Sequence, residues 1–155
     1  MKRSLFIIRP LLALTFLLSL LLPGMPLAPT SAAAAGCSGT GCNGKDPITM
    51  GCNADAYTVT STPIKTMSGQ VVGRADLRWS PSCKTNWARA VSSVGSTNMF
   101  VQLQYCDGSP VSGTYYQLPN TTSVYGDMRY NTTVRAIGAF GYNGASDIFG
   151  VTGCY

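Results

Sequence analysis

"FVQLQY", residues Phe100 to Tyr105, alternates apolar and polar side chains with a period of two. In an extended chain Val101, Leu103 and Tyr105 share one side while Gln102 and Gln104 share the other, the pattern of a strand in a half-buried sheet. Working outward from it, the β-rich runs are Ala56 to Thr60, Val72 to Ser80, Trp87 to Val91, Gly113 to Leu118, Ser123 to Tyr130, Thr133 to Phe140 and Ile148 to Thr152. Between them stand "STPIKTMSG", "SPSCKTN", "CDGSP", "LPNTT" and "GYNGASD", each with the Gly, Pro, Asn or Asp that turns require. After residue 35 no long run at helical spacing occurs. Seven or eight short strands this closely spaced predict an all-β domain, a small antiparallel sandwich or barrel.

Before the first strand, Gly36 to Asn53 holds five Gly and three Cys with almost no large apolar side chain. Such a segment cannot bury a core of its own. It is expected to be an irregular loop region stapled to the sheet by disulfides.

The first 35 residues differ again. Lys2, Arg3 and Arg9 precede the apolar run Leu11 to Leu22, followed by Pro23, Gly24, Pro26, Pro29 and the small-residue run "TSAAAAG". This predicts a signal peptide over 1–35, cleaved after Ala33 or Ala35, and a single secreted domain over 36–155. The apolar run is short for a membrane anchor. Lipidation of Cys37 is disfavoured because Ala34 replaces the expected large aliphatic residue and five cysteines would be left. All six cysteines, Cys37, Cys42, Cys52, Cys83, Cys106 and Cys154, lie beyond that region, an even number suited to disulfides outside the cell. A zinc site is not expected, since no C-x-x-C pair and no His occurs.

The charge excludes more. The chain carries +5, but removing the three basic residues of the export segment from 11 leaves 8 against 6 Asp, a net +2. No nucleic-acid partner is implied, and a ligand contact insensitive to salt is expected. With 11% charged residues, against roughly 25% in an average soluble protein, the surface must be built from Ser, Thr, Asn, Gln, Gly and Tyr. His and Glu are absent. Histidine-based catalysis and a Glu acid are therefore excluded, and Cys83 has no His to make it a nucleophile.

The stretches "CSGTGCNGKDPITMGCNADAYTV" (Cys37 to Val59) and "LRWSPSCKTNWAR" (Leu77 to Arg89) resemble the bacterial family called domain of unknown function 2690. The resembling positions are Cys37, Gly39, Cys42, Gly44, Asp46 and Pro47; then Gly51, Cys52, Asp55, Ala56, Thr58 and Val59; then Leu77, Arg78, Ser80, Cys83, Trp87, Ala88 and Arg89. After Arg89 only "VYGDMRY" and "RAIGAF" are suggestive. The resemblance implies a secreted domain and no chemistry. It also groups the first four cysteines, which leaves Cys106 to pair with Cys154.

Within these stretches Arg78, Trp79, Trp87 and Arg89 interleave aromatic and cationic side chains, and Tyr115 and Tyr116 add aromatics; these six are the candidate binding residues. The competing reading has Trp87 filling the core while Arg78 and Arg89 pair with Asp55 or Asp76. Asp46 before Pro47 reads as an Asx-turn, and Asp46 with Asp55 makes only a weak calcium signal. The tyrosines exceed what a small Gly- and Ala-rich interior can hold, so some must be exposed. The two "NTT" sequons, at Asn120 and Asn131, would place surface loops in a glycosylating host. The expected function is an extracellular binding module without cofactor, its ligand a cell-wall or extracellular glycan or a surface protein. An Asp-dependent cell-wall hydrolase and a secreted antagonistic polypeptide are the alternatives.

Overall fold

A computed structural model describes residues 34–130, 133–141 and 148–155. The export segment, the sequon at Asn131 and most of the "GYNGASD" turn lie outside the described residues. Among these residues nine strands form one antiparallel sheet: β1 (Tyr57–Lys65), β2 (Val71–Ser80), β3 (Thr85–Ser92), β4 (Thr97–Tyr105), β5 (Tyr116–Thr121), β6 (Ser123–Tyr125), β7 (Arg129–Tyr130), β8 (Val134–Phe140) and β9 (Phe149–Val151). They run β5-β4-β8-β9-β1-β2-β3-β6, with the two-residue β7 beside β3. The fold is the expected all-β class, curled into a half-barrel.

Curling follows from connectivity. The two outermost strands, β5 and β6, are consecutive in the chain and separated by Thr122 alone, so one bent segment lies along β4 on one side and β3 on the other. The wall is weakest between β9 and β1, which share the single pair Lys65↔Phe149. Across the interior, small side chains let the walls approach. A Cβ on Gly138 of β8 would stand 2.9 Å from the Ala90 Cβ and 3.0 Å from the Ala75 Cβ, closer than real contacts allow, so only glycine fits between β2, β3 and β8. Ile64, Leu77, Met99, Val101, Leu103, Val111, Val124 and Val134 fill the rest of the core.

The "FVQLQY" strand behaves as its alternation dictates for Val101 and Leu103, both fully buried, with Gln102 and Gln104 half-buried; Tyr105, at the strand end, is exposed. Two turn expectations are corrected. "STPIK" continues β1, because Pro63 lies where β1 pairs on one side only and its missing N–H costs little. "LPNT" continues β5 and bends at Asn120, which takes φ 48 without a glycine.

The N-terminal layer is irregular as expected, with two short 3-10 turns, Gly39–Cys42 and Cys52–Ala54. Three disulfides form, Cys37–Cys42, Cys52–Cys83 and Cys106–Cys154. The layer packs Cys42, Cys52, Cys83 and Met128 around Trp87 in a second core, outside the barrel. Backbone bonds from Gly39 to the Cys83 carbonyl (2.8 Å) and from Gly44 to the Met128 carbonyl (3.0 Å) hold it down.

Candidate functional site

Antiparallel register decides which of the candidate residues can act together. Arg78 stands opposite Trp87, and Asp76 opposite Arg89, on the outer face of the β2–β3 hairpin. Leu77 and Trp79 point the other way, and Trp79 stands opposite Asn86. The six candidates therefore do not form one surface.

Trp87 is entirely buried and fills the sulfur-lined second core. Arg89 pairs with Asp76, donating from Nε at 2.9 Å, and Arg74 donates to the same carboxylate at 3.2 Å. Arg78 pairs with neither Asp; it donates to the Thr58 hydroxyl (2.8 Å) and the Ala56 carbonyl (2.9 Å). Tyr116 at the start of β5 and Tyr115 just before it are exposed, and Tyr115 stacks on Phe100 at 5.7 Å between ring centres.

Trp79 is the exception. It lies at the end of β2, half-buried, between two clefts. One, of about 310 Å3, is lined by Tyr57, Val59, Trp79, Asn86 and Tyr155, so it opens between the start of β1 and the segment after β9, on the side where the wall is thin. The other, of about 380 Å3, is lined by Trp79, Pro81, Lys84 and Tyr130. Tyr57 and Tyr155 are well exposed. Lys84 closes the four-residue hairpin loop at φ 55, a conformation usually left to Gly or Asn. Tyr155 is fixed by two backbone bonds to Val134, each 3.0 Å, and follows directly on the Cys106–Cys154 bridge.

Among the described residues no Asp lines either cleft. Asp76 is buried, which works against its charge, but the Ser61 hydroxyl, Arg89 and Arg74 hold its carboxyl below the ordinary range. Asp55 is likewise lowered despite some desolvation, by the hydroxyl of Ser80 and by the backbone and hydroxyl of Ser82. Its oxygens are thus committed to the hairpin loop (2.6 and 2.8 Å), and Asp46 caps the backbone of Ile48 and Thr49, so the two form no shared calcium site. Asp127 is raised, by burial and then by the charge of Asp46. The sulfur atoms of Cys37, Cys42, Cys52 and Cys83 lie within 4.8 Å of one another, but as two disulfides they are not thiolate ligands.

A family model described as a protein of unknown function, DUF2690, matches residues 40–140, well over half of the chain. The chain belongs to that family. The DUF2690 match runs past Arg89, where the sequence resemblance was loose, and spans Tyr57, Trp79, Lys84, Asn86 and Tyr130 of the clefts; Tyr155 lies outside it. Neither the curated proteins nor the solved structures provide a match.

Sequence reading singled out Trp79 but missed Tyr57 and Asn86. The signal for Asn86 was present. Once "PSCK" is taken as the four-residue turn of a hairpin, counting back along both strands sets Asn86 against Trp79.

Proposed function

We propose that this is an exported binding module that takes carbohydrate of the cell wall or extracellular space at the Trp79 end of the barrel. One observation carries the reading: a half-buried indole between two open clefts lined by tyrosines, Asn86 and Lys84, with no Asp among the described residues that line them. Aromatic faces stack on the apolar faces of sugar rings, while phenol, amide and ammonium groups bond to their hydroxyls. Both clefts rest on a disulfide-held sheet, so little entropy is lost on contact. Export is supported by the basic and apolar pattern of the first 35 residues, by the three disulfides, and by the lack, among the described residues, of any helix long and apolar enough to cross a membrane. Protein recovered from culture medium should begin, by intact mass, between Ala34 and Cys37.

The test of function is calorimetry against purified cell-wall glycans and soluble polysaccharides, with Trp79→Ala beside the parent. Binding that Trp79→Ala abolishes supports the module; equal binding by both removes it. The hydrolase is the second reading: a glycosidase uses two neighbouring carboxyls, and Asp127, raised by burial and then by the charge of Asp46, is the described carboxyl that another carboxyl acts on. Release of reducing ends that Asp127→Asn abolishes would put the hydrolase in its place.

A further inference from the structure

Most of the described arginines are engaged by hydrogen bonds within the fold. Arg74 and Arg89 share Asp76, Arg78 bonds Thr58 and the Ala56 carbonyl, and Arg135 donates to Gln104 at 3.1 Å. Arg129 does not follow them. Among the described residues its side chain makes no hydrogen bond or ion pair, although it is half-buried. A half-buried arginine rests its stem on the protein and leaves its guanidinium open to an anion.

Its position is specific. Arg129 pairs in register with Asn86, so the two side chains share a side of the sheet, and Asn86 lines the first cleft. On the other flank of Trp79, Lys84 lines the second cleft, its side chain likewise unpaired. Lys84 is held at φ 55, and a non-glycine residue kept in that region calls for an explanation in function. Among the described residues, no carboxylate makes an ion pair with either cation. Asp55 is bonded to Ser80 and Ser82, and Asp127 is raised by burial and Asp46 with no relief from Arg129.

We infer that the carbohydrate taken at Trp79 is anionic, with Lys84 in the second cleft and Arg129, one strand beyond Asn86, holding its acidic groups. This rests on the carbohydrate-binding reading and narrows it to a sugar polymer carrying carboxylate or phosphate. Net charge does not anticipate it, because the +2 of the exported chain says nothing of where the charges that the fold leaves unpaired are placed. The salt-insensitive contact expected from that net charge gives way to a salt-dependent one.

Calorimetry of the exported chain against polygalacturonate, poly(glycerol phosphate) and neutral dextran tests the inference. At low salt at least one acidic polymer should bind about tenfold or more tightly than dextran, with the advantage shrinking as salt screens it; the ratio of the two identifies the acid. Lys84→Met and Arg129→Met should each remove most of that advantage, measured against the same variant's own dextran binding. Arg129→Lys should restore part of it, and Lys65→Ala, at the opposite end of β1, should change nothing. Thermal melts of each variant separate lost binding from lost folding. Equal binding of all three polymers, or unchanged preference in both Met variants, overturns the anionic assignment and leaves the Trp79 reading standing. Equal binding of poly-glutamate would show that charge alone suffices and also overturns it. If Trp79→Ala binds like the parent, the underlying reading fails instead.

Discussion

The two tryptophans stand eight residues apart in sequence, on neighbouring strands of one hairpin, and meet opposite environments. Trp87 faces outward from the barrel, yet a layer with hardly any apolar side chains of its own covers it completely, using disulfides and backbone bonds in place of a hydrophobic face. Trp79 faces the barrel interior, yet it stays half-exposed because the wall beside it is thin. Direction relative to the sheet therefore does not decide burial here. What lies above each face decides it.

Substitutions can break this contrast, and the largest effect is expected at the covered indole. Trp87→Ala should cost about 3–5 kcal/mol, a large part of what a small domain has, and chemical denaturation measures it. Next come the bridges, through loop length. Replacing Cys52 and Cys83 (separation 31) by Ser should cost about 4 kcal/mol by chain entropy, and replacing Cys37 and Cys42 (separation 5) about 2 kcal/mol. Equal losses would mean that the short bridge acts through packing around Trp87 instead.

Acid sharpens the contrast from the charged side of the hairpin. The Asp76 carboxyl is lowered in the folded chain, so its contribution is complete above the unfolded carboxyl range and is lost as pH falls through its folded value. Asp76→Asn should cost about 2 kcal/mol near neutrality and little in acid, where the parent loses the same ion pairs. At the open end, Trp79→Ala should cost about 1 kcal/mol in stability and abolish carbohydrate binding, the reverse of the Trp87 result. The smallest effect is at Asp127, whose raised carboxyl contributes stability below the unfolded range that is lost as pH rises through its folded value. Asp127→Asn should therefore stabilise the neutral protein by a few tenths of a kcal/mol, given its exposure to solvent.

Strands were legible wherever alternation was strong, as in Phe100 to Tyr105, because pleat and burial share one period. They were misjudged where proline and asparagine suggested turns. Pro63 is tolerated by the one-sided pairing of β1, and Asn120 by the bend that carries the chain from β4 to β3, and neither context is local. The site was legible only in Trp79. Its partners come from β1, β3, β7 and the segment after β9, and their convergence depends on strand register and on how the sheet curls, which no spacing within one stretch encodes. The Cys106–Cys154 bridge emerged because family likeness had set the other four cysteines apart.

The bend at Thr122 has a consequence for how the molecule keeps to itself. Because β5 and β6 are one segment of chain, the two ends of the sheet are tied together covalently, and each outermost strand is short, six residues in β5 and three in β6, so neither offers a long row of backbone groups to a second molecule. A single peptide-bond break at Thr122 would leave every pairing in place and remove only that tie.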